Sequence, residues 1–177
     1  MKTFLKIIGV LILLIVVYAI IAMLAFGKNY HYEKSIVINA PKEKIWKQIS
    51  TMKAVNQWNP WLKLDPKMKL VYSGTAGQVG DKYCWDSQNN DAGAGCQEIT
   101  ELVPYQRQKT EMIFKKPFEG QATSEMVLSP EESGTKVTWT MDTEQDPMMK
   151  IMRPIMDYQM GKSYGEGLGN LKKLAEK

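Results

Sequence analysis

The stretch "KVTWTMDTEQDPMMK", residues 136–150, joins two periodicities in one short run. Val137, Trp139 and Met141 alternate with polar neighbours, the period-two pattern of a strand with one buried and one wet face. Asp146-Pro147 then reads as an N-cap followed by proline at the first helical position, where its missing N–H costs nothing. Beyond it a long helix is expected to Leu174, with Ile155, Tyr164, Leu168, Leu171 and Leu174 inward and a restart or kink at Pro154. Gly161, Gly165, Gly167 and Gly169 each oppose helix by up to ~1 kcal/mol. Their use would be close approach to a sheet or a ligand.

Upstream, residues 67–143 read as strand after strand. "KMKLVYSG" alternates Met68, Leu70 and Tyr72, and "GDKYCWD" puts Tyr83 and Trp85 on one face. "RQKTEMIF" alternates Thr110, Met112 and Phe114, and "QATSEMVL" places Met126 and Leu128 together. Turn-forming clusters separate these runs, including "SQNNDAGAG" and "SPEESGT". About six antiparallel strands are expected here. Before them, "KSIVINA" (34–40) is a β-branched strand, and Pro41 opens a helix with Ile45, Trp46 and Ile49 as its apolar stripe. "MKAVNQW" gives a second short helical turn, which Asn59-Pro60 stops between Trp58 and Trp61.

Residues 7–26 are uncharged and apolar on every side, long enough to cross a ~30 Å hydrocarbon layer. The chain therefore divides into a short tail (1–6), a transmembrane helix (7–27), a linker (28–33) and one folded domain (34–176). The apolar run exceeds the h-region of most secretory signals, which favours a retained anchor, although Ala25-Phe26-Gly27 offers a small-x-small cleavage site. The brief N-terminal tail favours a single-pass membrane protein with its domain on the extracytoplasmic side. Lys2, Lys6, Lys28 and Lys34 flank the span on both sides, so charge bias says little about orientation. In the linker, Tyr30 and Tyr32 suit the headgroup zone, and His31 has no partner that the sequence places beside it.

Net charge is +4, of which Lys2 and Lys6 supply two, and no basic run interleaves with aromatics. Nucleic acid is not an expected partner. One histidine and two cysteines show no metal-ligand spacing, and no cofactor signature is present. Gly-rich "GTAGQVG" (74–80) lacks the Lys-Ser/Thr of a phosphate cradle and reads as a hairpin loop. Glu98, Glu111, Glu125 and Asp142 alternate away from the apolar face, so no acid–base pair is assembled inside it.

The order of strand, two short helices, about six strands and a closing helix carries "INAPKEKIWKQIS", "WNPW", "KPFEG", "GTKVTWTMD" and "GLGNLKKLAE" at their places. Together these resemble the SRPBCC superfamily, in its polyketide cyclase/dehydrase-like branch, related to START and pollen-allergen-type lipid carriers. The resemblance covers residues 34–176. It implies an α+β helix-grip fold, a curved antiparallel sheet wrapped around the C-terminal helix, with an apolar cavity between them. A hydrophobic small molecule or lipid is the implied partner, and only some members are enzymes.

On that fold, the inward residues that would line the cavity are Trp58, Trp61, Tyr83, Trp85, Phe114 and Trp139, with Met112, Met126, Met141, Met156 and Tyr164. Gln97, Thr110, Gln108 and Ser124 are milder inward groups, able to orient a ligand or hold cavity water. Trp58 reads as packing and Trp61 as rim. Met148, Met152, Met156 and Met160 follow helical spacing and suit either core, a soft gate or a patch touching the bilayer. Cys84 and Cys96 fall on the outward face of adjacent strands, where they form either a cross-strand disulfide or two unpaired thiols. Three functions compete: a membrane-anchored binding module, a cyclase- or aromatase-like enzyme, and a structural or interaction domain whose cavity is filled by side chains.

Overall fold

The first strand lies beside the last. The computed structural model describes residues 2–177, so Met1, part of the expected tail, lies outside the described residues. The order is α1 (Lys2–Ala25), β1 (Asn29–Ile38), α2 (Lys42–Ile49), α3 (Met52–Trp58), a 3-10 turn (Pro60–Leu64), β2 (Lys69–Ser73), β3 (Lys82–Asp86), β4 (Ala94–Val103), β5 (Arg107–Lys116), β6 (Gly120–Glu131), β7 (Gly134–Glu144) and α4 (Pro147–Ala175). The strands form one antiparallel sheet in the order β1-β7-β6-β5-β4-β3-β2. A helix-grip fold results, with α4 lying across the concave face.

Local chemistry places the short elements. The Thr51 hydroxyl caps α3 by accepting from the Ala54 N–H at 3.0 Å. The Asn59 side chain accepts from the Trp61 N–H at 3.1 Å, ending α3 and starting the 3-10 turn in one stroke. Asp146 caps α4 through the Met149 N–H. α4 runs through Pro154 as a single helix, so it does not restart there as one reading expected.

The core gathers under the C-terminal half of α4. Ile38, Ile45, Ile49, Ile99, Val137 and Leu171 are fully buried there. Ile155, expected inward, is 50% exposed. It lies nine residues from Tyr164, about half a turn around the helix at 100° per residue. The face that Tyr164, Leu168 and Leu171 present to the sheet therefore excludes it.

Residues 29–33, expected as linker, extend β1, because β7 continues far enough to pair Asn29 with Glu144. Tyr30 is consequently 1% exposed and donates to Asp157 at 2.8 Å. His31 does gain a partner: its Nδ1 lies 2.6 Å from Asp142 on the convex face.

α1 is long and apolar enough to cross a membrane, and begins at Lys2, before the apolar run itself. Its last turns pack against the start of α4. Ala22 is 1% exposed, and the Tyr18 hydroxyl donates to the Ile151 carbonyl at 2.9 Å. The Arg153 guanidinium lies 4.8 Å from the Phe26 ring centroid and 5.2 Å from that of Tyr30, tying the helix exit to α4.

Candidate functional site

Residues of the concave face fall into rows across the strands, because antiparallel register aligns them. One row joins Gln108, Met126 and Trp139; the next joins Ile99, Thr110, Ser124 and Met141; a third joins Gln97, Met112 and Ala122. Trp85, Gly95, Phe114 and Gly120 form the row nearest the rim. The larger apolar side chains lose burial toward the rim, though Ala122 and Gly95 stay buried there. Met126 and Trp139 are buried, whereas Met112, Phe114, Trp85, Gln97 and Met141 are half-buried.

The deep end is filled by aromatic rings. Trp139 stacks on Tyr164 with centroids 4.0 Å apart, and Trp58 meets Trp139 edge-on at 5.2 Å. Trp61 closes the group from the rim side, edge-on to Trp139 at 5.8 Å and to Tyr164 at 6.0 Å. Trp58 is fully buried and donates its indole N–H to the Gln48 carbonyl, so its role is packing. Trp61 is half-buried. Gly167 permits the closure, since a Cβ there would lie 2.8 Å from the Trp139 ring.

A polar chain crosses the floor. Asn59 Nδ2 donates to the Tyr83 hydroxyl at 3.4 Å, and Tyr83 donates to Gln97 Oε1 at 3.2 Å. Gln97 Nε2 donates to Thr110 Oγ1 at 2.8 Å. Ser124 Oγ accepts from the Trp139 indole at 2.9 Å and donates to the Thr140 carbonyl at 2.8 Å. Gln108 donates to the Ile49 carbonyl. These inward polar residues are thus satisfied by one another and by backbone carbonyls, as buried polar groups must be. Burial holds the Tyr83 and Tyr164 hydroxyls well above the ordinary phenol range, so both remain protonated donors at neutral pH.

Toward the rim the face is largely apolar and half-buried. Trp85 packs against Tyr83 at 5.6 Å and edge-on to Phe114 at 5.9 Å. Met112 and Met141 lie in neighbouring rows, and Met156 is half-buried on the first half of α4. Two surface concavities lie elsewhere. One, of about 330 Å³, is lined by residues such as Tyr30, Glu111 and Thr143; the other, of about 850 Å³, by residues such as Pro41, Tyr105 and Leu128. Neither includes any of the expected lining residues. Of the expected lining rings, Trp58, Trp61, Trp139 and Tyr164 pack on one another at the deep end, while Trp85 and Phe114 lie toward the rim.

The sequence suggested Tyr32 as a headgroup-zone residue and Lys34 as a charge flanking the span, and both in fact touch α4. Tyr32 meets Tyr164 edge-on at 5.2 Å, and Lys34 Nζ donates to the Gly161 carbonyl at 2.8 Å. The signal was present in "YHYEK", whose alternation continues that of β1. On the opposite face, Cys84 and Cys96 are directly opposed in register and joined by a disulfide.

This geometry defines a helix-grip protein whose concave face is filled by aromatic rings at its deep end and half-buried toward its rim. The chain belongs to the polyketide cyclase/dehydrase and lipid transport family, whose model matches residues 30–176. No curated protein matches the sequence. Among solved structures it is similar to protein CV1439 from Chromobacterium violaceum (16% identity, TM-score 0.59, covering 86% of this chain and 99% of that one). It is similar also to Ara h 8.0201 (15%, 0.56, 84% and 95%). A third is the di-domain ARO/CYC StfQ from the steffimycin biosynthetic pathway (12%, 0.63, 84% and 51%). At these identities the likeness is one of fold.

Proposed function

We propose that the protein is a membrane-anchored binding module that takes up a hydrophobic small molecule or lipid at the shallow end of its concave face. The observation that carries this reading is the burial gradient. Trp85, Met112, Phe114, Met141 and Met156 offer an apolar, half-buried surface beside a closed core. Such a surface with few polar fixings is what ligand sites usually present. The family's lipid transport members support the same reading. In α1, Leu13, Leu14 and Ile15 are 60%, 58% and 65% exposed, surface that a bilayer would cover. An oxidising compartment suits the Cys84–Cys96 bridge, which supports an extracytoplasmic domain.

The test is mass spectrometry of lipids extracted from the purified full chain, with fatty-acid probes titrated against its tryptophan fluorescence. Bound apolar molecules and saturable quenching are expected. An empty protein indifferent to every probe sinks the reading.

A second reading, an interaction domain whose cavity is filled, is favoured by one observation: the packed quartet of Trp58, Trp61, Trp139 and Tyr164. An intact fold that binds no probe would establish it. A cyclase-like activity would rest on hydrogen-bond donors alone at Tyr83 and Tyr164, because neither hydroxyl takes up a proton at neutral pH.

A further inference from the structure

We infer that one rim of the domain docks into the bilayer, so that the mouth of the concave face opens onto lipid. This rests on the reading of α1 as a retained membrane span. The contact between Tyr18 and Ile151 sets the depth. Tyr18 lies seven residues inside the end of α1, about 10 Å along the axis at 1.5 Å per residue. The first turns of α4, held to it, cannot stand clear of the membrane that α1 crosses. Arg153 over Phe26 and Tyr30, with Ala22 buried at the same junction, makes that attachment close rather than a loose tether.

The surface presented there is apolar. Met148, Met152 and Ile155 are 65%, 39% and 50% exposed, and their spacing of four and three puts them on one face of α4. Met148 and Ile155 sit about half a turn from the Tyr164 face that grips the sheet. Methionine adapts its shape to irregular apolar neighbours, as fluid acyl chains require.

A separate element reaches the same rim. The register runs from Asn29 opposite Glu144, through Thr143 opposite Ala122, to Gly120 opposite Phe114. The β5–β6 hairpin tip therefore projects from the edge at which α1 enters. Its Phe118 is 75% exposed, beside Lys115 and Lys116, an aromatic and basic pair of side-chain types suited to the interface. Lys116 is paired with Asp86 at 3.5 Å and Glu119 follows Phe118, so the apolar term dominates over charge. At the opposite rim, the β6–β7 tip carries Glu131 and Glu132. The two apolar lips, α4 and the β5–β6 tip, bracket Met112, Phe114 and Met141. The occupant of this surface is phospholipid, and zwitterionic phosphatidylcholine suffices.

The experiment reconstitutes the full chain in phosphatidylcholine nanodiscs with brominated acyl chains, which quench nearby fluorophores. Ile12→Cys, Phe118→Cys, Met152→Cys and Glu132→Cys are labelled separately without reductant, leaving the native disulfide intact. All four positions are exposed or in the apolar span, so folding is preserved. Labels at 118 and 152 are expected to lose most of their fluorescence, as at 12, while 132 keeps its own. Quenching at 12 with 118 and 152 behaving like 132 overturns the docking and leaves the anchor standing. An unquenched label at 12 overturns both. Quenching at 118 and 152 in a protein whose extract contains no lipid upholds the docking and rejects the ligand-binding function.

Discussion

Trp139 of β7 and Tyr164 of α4 stack ring on ring, centroids 4.0 Å apart and planes 22° from parallel. This contact joins the last strand to the gripping helix and closes the deep end of the concave face. Its surroundings make it sensitive to single atoms.

Gly167 stands over that stack, where a Cβ would come within 2.8 Å of Trp139 and 3.2 Å of Pro60. Overpacking of this kind costs about 1–3 kcal/mol. Gly167→Ala should lower the thermal midpoint in near-UV circular dichroism. Gly169→Ala, with open space around its Cβ, should instead raise it, by about 0.4–1 kcal/mol in stability. Equal effects at the two sites would refute this account of α4.

Ser124→Ala should leave the Trp139 indole N–H buried without its acceptor. An unsatisfied buried donor costs about 1–3 kcal/mol. Urea unfolding should show a lower midpoint with an unchanged slope, since the same surface is exposed.

Replacing Cys84 and Cys96 together by Ala opens a closed loop with a sequence separation of 12. The chain-entropy model gives a loss of roughly 3 kcal/mol. Reductant should destabilise the parent protein by a similar amount and leave the double variant unaffected.

Tyr30, Tyr83 and Tyr164 all have phenol pKa values raised chiefly by burial. A raised folded-state value means the stabilisation is complete below the unfolded pKa, about 10, and is lost as pH rises beyond it. Absorbance titration should show these three hydroxyls ionising only with unfolding, above pH ~10. Three early, reversible ionisations in the folded protein would count against it.

The strands were legible because period-two alternation survives wherever one face is buried, as in Val137, Trp139 and Met141. "NYHYE" was not, because its composition matches a juxtamembrane linker as well as a strand. What decided it was β7 reaching Glu144 and pairing across more than a hundred residues. The His31–Asp142 pair follows from the same register. In α4, apolar residues occur on opposite sides, so periodicity alone could not say whether Ile155 or Tyr164 faced the sheet. The inward polar residues were found from alternation, but their mutual hydrogen bonding required knowing which strand neighboured which.

By itself the sequence determined the element order, the apolar helix and the inward face of each central strand. Those follow from local periodicity, capping and the length of an uncharged run, which act over a few residues. Only the tertiary structure decided that Trp58, Trp61, Trp139 and Tyr164 fill the deep end while Met112 and Phe114 stay half-buried. Lining and core residues have the same chemistry. Whether a ring borders a space or occupies it depends on how near two elements approach, and here Gly167 sets that distance.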